Sequence, residues 1–314
     1  MAGVRRVRGA AVAIGSTSVH FTAAAVSADG LRLLADESAL LELGSSVDAH
    51  GHIPGDRLAE LVSTLQRFVA SAASIGVHEV TFIGTEPLRR ATNGRAAAAA
   101  VRQATGRPLH LLSHEDEALL SLYGVLRGRA PAADTLVIDI GGGSSEYVLA
   151  RTSGTPLAHG LRIGAARLTE ALVRHDPPTP GEIAELRAEA HRRVEGAADL
   201  APARAVLVGG TAENLLRLVA RDRALRSIDR RRLALAVEML EREPAGVLAE
   251  RCAIRPQRAR ILPGGAALVE AFFDRYGLGT AGVSRAGIRE GTILAVARAG
   301  DAWLDRLPDL VAGA

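Results

Sequence analysis

The order of apolar and polar positions predicts two successive α/β segments in this chain. Three apolar runs with short turns between them, at residues 10–14, 19–26 and 31–35, predict adjacent strands. An amphipathic run over residues 58–73, with Asp56 as its expected N-cap, predicts a long helix. The first segment continues with a strand at 79–83, a helix at 94–104, a strand at 109–112 and a helix at 117–126 preceded by Ser113 and Asp116 as cap.

The same order of elements begins again after Pro131. The second segment is predicted to contain strands at 135–140, 146–150 and 155–161 and a short helix from Arg167. It continues with a helix that reaches about Ala197 and has Thr179 through Glu182 as its cap, a strand at 206–208, a helix at 213–219 and a strand at 279–283. Both segments therefore follow a β-β-β-α-β-α order. We expect an N-terminal lobe at residues 1–127 and a C-terminal lobe at residues 128–314.

Three turns rich in glycine and hydroxyl residues follow predicted strands, where open α/β sheets bind ligands. They are Gly15-Ser16-Thr17-Ser18, Gly141-Gly142-Gly143-Ser144-Ser145 and Gly209-Gly210-Thr211. Glycine lets backbone N–H groups approach an anion closely, and hydroxyl groups add donors. Asp139, just before the triple glycine, could hold a Mg²⁺ ion that bridges to phosphate, and Glu146 is the next carboxylate. A plain glycine hairpin with Asp139 as a turn residue is the alternative.

Composition removes several classes of function. The 314 residues contain no lysine, which excludes a Walker A lysine and a Schiff-base lysine. The net charge is +3, like charges form no block, and aromatic residues are only 3%, so we expect no nucleic-acid partner. No apolar run approaches the ~20 residues of a membrane span. A single Cys252, expected to be buried, and an apolar run too short for a signal peptide predict a cytoplasmic protein.

Several motifs together resemble the exopolyphosphatase/guanosine pentaphosphate phosphohydrolase (Ppx/GppA) family. They are VIDIGGGSSEY (137–147), GTEPLRRATN (84–93), LLSHEDEALL (111–120), GLRIGAARLTE (160–170), VGGTAENLL (208–216), ILPGGAALVEA (261–271) and AGIREG (286–291). The resemblance follows essentially the whole chain in order. It implies an α/β protein of two ribonuclease H-like lobes, of the actin-like ATPase superfamily, with an interdomain cleft.

The resemblance also implies an activity and a set of site residues. The activity is release of terminal phosphate from inorganic polyphosphate, or from pppGpp, by metal-assisted attack of water. Glu117 matches the catalytic base, Asp139 and Glu146 match acidic residues that bind Mg²⁺ (or Mn²⁺) and activate water, and Arg89 matches a phosphate-binding arginine. The phosphate would be held by Gly15, Ser16, Thr17, Ser18, Arg89, Gly141, Gly142, Gly143, Ser144, Ser145, Gly209, Gly210 and Thr211. A homodimer is common for such folds.

The first turn departs from the family pattern. Ala13 stands where the family has an Asp, and Thr17 stands where it has an Asn. Alanine cannot ligate a metal, so one carboxylate of a two-sided clamp is missing. This leaves an active exopolyphosphatase with weakened metal use, or a catalytically weakened or inactive member that binds polyphosphate or a guanosine nucleotide as a sensor or scaffold. A sugar-kinase-like phosphotransferase is a further alternative.

Overall fold

The chain forms two compact units. The computed structural model describes residues 7–27, 30–220 and 224–313. The first unit contains the described residues up to Ala130 together with those from Ala286 onward, and the second unit is Pro131–Arg285. The sequence placed all of residues 128–314 in one lobe, whereas the segment from Ala286 onward packs within the first unit.

The first unit is built on a five-stranded sheet. Its strands are β1 (Val7–Ile14), β2 (Ser18–Ser27), β3 (Gly30–Leu40), β4 (Val80–Gly84) and β5 (Leu109–Leu111). They lie in the order β3-β2-β1-β4-β5. The first three are antiparallel neighbours, and β1, β4 and β5 run parallel. The carboxyl ends of these parallel strands therefore meet at one edge of the sheet.

Five helices precede the second unit along the described chain. They are α1 (Leu43–His50), α2 (Gly55–Ser74), α3 (Glu86–Arg90), α4 (Gly94–Thr105) and α5 (His114–Leu126). The sequence did not predict α1 and α3, which have eight and five residues. It also misplaced the start of α2: Pro54 is the N-cap, and Asp56 lies within the first turn.

The second unit repeats the same sheet with one strand added. Its strands are β6 (Thr135–Ile140), β7 (Ser145–Ala150), β8 (Leu157–Leu161), β9 (Arg204–Val208), β10 (Ser227–Asp229) and β11 (Thr280–Ser284). Their order, β10-β11-β9-β6-β7-β8, matches that of the first sheet strand for strand up to the extra β10. The helices are α6 (Ala165–Leu172), α7 (Pro180–Glu195), α8 (Gly209–Val219), α9 (Arg230–Arg242), α10 (Ala245–Cys252), α11 (Pro256–Arg260) and α12 (Leu262–Arg275).

Alternation along the strands sets the core of each unit. Val12, Ile14 and Phe21 point into the first core, where the ring of Phe21 stacks on Phe68 of α2 with centroids 5.5 Å apart. The neighbouring strand positions face the opposite side of the sheet. Cys252, expected to be buried, is only half-buried beside the second core.

Two helix starts follow local cap chemistry. Ser113 caps α5 in a capping box with Asp116, and Thr179 caps α7 in a capping box with Glu182. Hydrogen bonds from the backbone N–H groups of Thr179 and Arg174 lower the pKa of Glu182 to about 2. Both caps agree with the sequence prediction.

The last part of the chain returns to the first unit through α13 (Ile288–Ala299), which precedes a 3₁₀ turn and α14 (Leu307–Ala312). A Cβ on Gly291 would lie 1.9 Å from the carbonyl oxygen of Leu120, and one on Gly124 would lie 2.1 Å from that of Gly287. The helices α13 and α5 therefore touch backbone to backbone. Arg298 adds a 2.7 Å hydrogen bond from Nη1 to the hydroxyl of Tyr123.

In the described part of the chain, each helix is too short or too polar to cross a lipid bilayer.

We expect Gly291→Ala to destabilise the protein by about 2 kcal/mol or more, because the added methyl group must separate α13 from α5. Thermal and denaturant unfolding measure this effect. The matched control is Gly246→Ala in α10, where a Cβ meets nothing within 4 Å and the change favours helix by about 0.5–1 kcal/mol. Equal stability of the two variants would contradict the close packing.

Candidate active site

Two carboxylates face each other across β6 and β7. Asp139 is the register partner of Glu146 in this antiparallel pair. Directly opposed residues project from the same face with Cβ atoms about 4.5–5.5 Å apart. Glu146 is only 4% exposed, while Asp139 is half-buried. Opposed like charges are unfavourable unless a proton or a cation compensates them, so the pair has the oxygen donors and the charge of a divalent-cation site.

The triple-glycine turn joins these two strands. Its N–H at Gly141 donates to the carbonyl oxygen of Ser144 at 2.9 Å. The carbonyl oxygens of Gly141 and Gly142 accept bonds from N–H groups at the start of α6, among them a 2.8 Å bond from Ala165. Because these carbonyl oxygens point toward α6, they do not repel an anion that binds to the glycine N–H groups of the turn.

The hydroxyls of this turn have different roles. Ser144 and Ser145 are both buried. The Ser145 hydroxyl donates to the carbonyl oxygen of Ile163 at 2.7 Å. A serine hydroxyl has one proton to donate, so Ser145 fixes the turn to the backbone and is not available as a phosphate donor in this state.

The third predicted turn lies beside Asp139. Val208, the last residue of β9, is the register partner of Asp139. Gly209 has φ of +82°, and a Cβ there would lie 2.5 Å from Oδ1 of Asp139. Any larger residue would therefore displace the carboxylate, which explains the glycine. Gly209 begins α8, so the helix starts earlier than the sequence predicted.

Two further features surround this helix start. A Cβ on Gly210 would lie 3.3 Å from Nη1 of Arg258, which places that guanidinium group over the N-terminus of α8. Positive charge and helix dipole both favour an anion there. Arg258 was not predicted, because nothing near it in sequence marks the contact. Thr211 is buried. Its methyl group packs against Gly265 of α12, where a Cβ would lie only 2.5 Å away.

In the first unit, the buried residue on α5 is the predicted base. Glu117 is 6% exposed, whereas Glu115 is exposed. Asp116 accepts bonds from the N–H and hydroxyl of Ser113 as part of the cap. Among the three acidic residues of this helix start, only Glu117 has a carboxylate that is buried from solvent, as is typical of a catalytic acid or base.

Arg89, at the end of α3, orients Glu117. Its Nη1 lies 2.5 Å from Oε1 of Glu117 and 2.5 Å from the carbonyl oxygen of Leu112. Its Nη2 lies 3.1 Å from Nδ1 of His114, a residue that the sequence analysis did not select. Arg89 therefore fixes the orientation of the Glu117 carboxylate.

The first turn is held by a second carboxylate that the sequence analysis missed. The Ser16 hydroxyl donates to Oε2 of Glu86 at 2.8 Å, and Nε of Arg90 donates to Oε1 at 2.7 Å. Glu86 is 5% exposed. Because a carboxylate only accepts, the Ser16 proton is used in this bond. Glu86 and Arg90 are four residues apart, and this spacing could have indicated their ion pair on one helix.

Two other residues of the first turn, Thr17 and Ser18, are also buried. The N–H of Gly15 donates to the carbonyl oxygen of Ser18 at 3.1 Å, as in the second-unit turn. Ser18 Oγ lies 2.7 Å from Nε2 of His20. The buried hydroxyl of Thr17 has no hydrogen-bond partner among the described residues.

Sequence comparison places the chain near the Ppx/GppA phosphatases and the exopolyphosphatases. The sequence profile of the Ppx/GppA phosphatase family matches residues 22–299. Exopolyphosphatase 1 of Mycobacterium tuberculosis (strain ATCC 25618 / H37Rv) is 29% identical, with 90% of this chain and 86% of that protein covered. Exopolyphosphatase 2 of the same strain is 28% identical, with 92% of this chain and 98% of that protein covered.

Solved structures share the fold over nearly the full length. The Ppx/GppA family member of Aquifex aeolicus superposes with a TM-score of 0.81 at 23% identity, covering 95% of this chain and 99% of that one. An exopolyphosphatase from Cytophaga hutchinsonii also gives 0.81, at 19% identity, covering 93% and 98%. The predicted α/β fold is confirmed, since the chain shares the fold of these structures. With matching motifs, a matching profile and a shared fold, the chain belongs to the Ppx/GppA phosphatase family.

Proposed function

We propose that this protein is an exopolyphosphatase, a hydrolase that releases terminal phosphate from inorganic polyphosphate by attack of water. The observation that carries the proposal is the buried Glu117 carboxylate, held by Arg89 at 2.5 Å. Relatives that cover 90% or more of this chain are named exopolyphosphatases. The guanosine nucleotide pppGpp, which ends in the same phosphoanhydride, is the second substrate we propose.

Glu117 acts as the general base. Its carboxylate accepts the proton of the attacking water, and the bond from Arg89 to Oε1 fixes the orientation of the carboxylate. Burial excludes bulk water from this carboxylate, which makes a correctly placed base more effective than a solvated one. Glu115 and Asp116 lack this environment, since one is exposed and the other belongs to the helix cap.

Asp139 and Glu146 fit a divalent cation. Their cross-strand pairing supplies two hard oxygen ligands on one face, and the bare backbone of Gly209 leaves room for the Asp139 carboxylate. Mg²⁺ or Mn²⁺ is the cation we propose. When bound, such an ion neutralises the charge on phosphate oxygens.

The phosphate itself is held by backbone donors and arginine. The N–H groups of Gly142 and Gly143 and the N-terminus of α8 beneath Arg258 are the donors we assign to phosphate oxygens. Phosphoryl transfer needs little covalent help from a protein, so catalysis depends on this positioning and on charge neutralisation.

A second candidate function is a family member that binds polyphosphate or a guanosine nucleotide without turning it over. The observation that favours it is Ala13, whose register partner on β2 is His20, so that the first hairpin has no carboxylate at this position. Loss of one metal-supporting acid lowers the rate while leaving phosphate binding in place.

We expect Glu117→Gln to lower kcat for phosphate release from polyphosphate by about 10²-fold or more, the range found for loss of a general base. Glutamine keeps the shape and accepts the Arg89 bond but takes up no proton. Phosphate release and equilibrium binding of polyphosphate measure the two effects separately, and binding is expected to persist. The control is Glu115→Gln, an exposed position on the same helical turn. An equal rate in Glu117→Gln and the native chain would contradict the assignment.

Removing divalent cations with EDTA is expected to stop phosphate release, and added Mg²⁺ or Mn²⁺ is expected to restore it. In Asp139→Asn the cation concentration for half-maximal rate rises at least about tenfold, because one anionic ligand is lost. Titration of the rate against Mg²⁺ measures this shift. Asp199→Asn, at a side chain 96% exposed in the same unit, is the control. Full activity in EDTA would refute the metal assignment and leave the base assignment standing.

A further inference from the structure

His114 begins α5, one helical turn before the proposed catalytic base. It is the first residue of the helix and is half-buried. The capping box of the helix is formed by Ser113 and Asp116, so the cap does not require His114. Positive charge is unfavourable at this end of a helix, and a histidine there gains nothing from the helix dipole. Helix formation therefore does not explain the histidine.

The imidazole of His114 contacts the arginine that orients the base. Nη2 of Arg89 lies 3.1 Å from Nδ1 of His114 and 3.3 Å from Nε2. A guanidinium group has only donors, so the ring nitrogen that faces it must offer a lone pair. His114 is therefore a hydrogen-bond acceptor for Arg89. A neutral imidazole adds no charge to the site, so what the contact supplies is orientation.

The chain segment that enters α5 holds the guanidinium group of Arg89 at three points. Nη1 donates to the carbonyl oxygen of Leu112 at 2.5 Å and to Oε1 of Glu117 at 2.5 Å, and Nη2 faces His114. His114 and Glu117 are three residues apart on the helix, and residues with this spacing lie on the same face. Both side chains can therefore reach Arg89 from one side of α5.

The contact with His114 acts on a different nitrogen from the other two. The bonds to Leu112 and Glu117 both leave from Nη1, and a guanidinium group held at one nitrogen can still turn about that nitrogen. The group is planar and rigid, so a partner at Nη2 fixes the plane in which Nη1 donates. Glu117 is only 6% exposed, so its carboxylate follows the direction of Arg89 and not that of bulk water.

We propose that His114 is a positioning residue for the reaction. It holds the guanidinium group of Arg89 in the orientation that directs the Glu117 carboxylate toward the attacking water. The inference rests on the proposed function, in which Glu117 is the general base. His114 acts through Arg89 and is not assigned to the substrate or to the reacting atoms.

Steady-state phosphate release from polyphosphate at saturating Mg²⁺ tests this inference on the full chain. We expect His114→Ala to lower kcat about tenfold and to change KM less than about twofold, because a misdirected base slows the chemical step and leaves substrate binding intact. His114→Asn keeps an acceptor near the position of Nδ1, so its kcat should stay within about threefold of the native value. The control is His78→Ala, at an exposed histidine of the same unit.

A double-mutant cycle with Arg89→Ala separates positioning from a general structural effect. If His114 acts through Arg89, then His114→Ala lowers kcat by less than about twofold once residue 89 is alanine, since nothing remains for the imidazole to orient. A loss of packing would lower the rate in both backgrounds alike. Should His114→Ala not fold, as judged by thermal unfolding, His114→Leu takes its place, because leucine fills the space without an acceptor.

The outcomes separate this inference from the proposed activity. A lower kcat in His114→Ala, restored by asparagine and absent in the Arg89→Ala background, supports the inference. If the native chain releases phosphate and Glu117→Gln is slow, but His114→Ala is as fast as the native chain, the inference is overturned and the proposed function stands. Effects of His114→Ala and Arg89→Ala that multiply, or an asparagine variant as slow as the alanine variant, also overturn it. Absence of release by the native chain at every Mg²⁺ concentration overturns the proposed function and this inference with it.

Discussion

The cross-strand pairing of Asp139 with Glu146 is the constraint on which the second-unit site depends. Once β6 and β7 pair in this antiparallel register, both side chains project from one face of the sheet with Cβ atoms about 4.5–5.5 Å apart. Two neighbouring features add no further bulk or negative charge beside these side chains. Gly209 contributes no side chain beside Asp139, and the turn carbonyls are bonded to the start of α6. Directly opposed like charges are destabilising, and the oxygen ligands of this pair suit the divalent cation that we propose.

The same hairpin geometry occurs in the first unit with its charges removed. Ala13 and His20 occupy the positions of the two acids, and Ser16 is bonded to the buried Glu86. A duplicated backbone has therefore been given two different electrostatic environments. In the function that we propose, catalysis depends on Glu117 and on the second-unit carboxylates, with no aspartate at position 13.

Features that depend on neighbouring residues were predictable from the sequence, and features that depend on distant ones were not. The caps Ser113–Asp116 and Thr179–Glu182 formed as predicted, because their hydrogen bonds span three residues. The packing of α13 on α5 was missed, since it depends on Gly291 meeting Leu120 across the length of the chain. Ser16 and Ser145 were predicted to bind phosphate, but their protons go to Glu86 and Ile163, 70 and 18 residues away. Arg258 reaches α8 for the same non-local reason.

The most direct test of the central claim is phosphate release by the native chain from inorganic polyphosphate, pppGpp and ATP over a series of Mg²⁺ and Mn²⁺ concentrations. We predict metal-dependent release from polyphosphate at a higher kcat/KM than from ATP, since the proposed site residues bind phosphate groups and none of them is assigned to the adenine base. Absence of release from polyphosphate at every metal concentration, with polyphosphate binding retained, would contradict the claim. The protein would then be a binding member of the family.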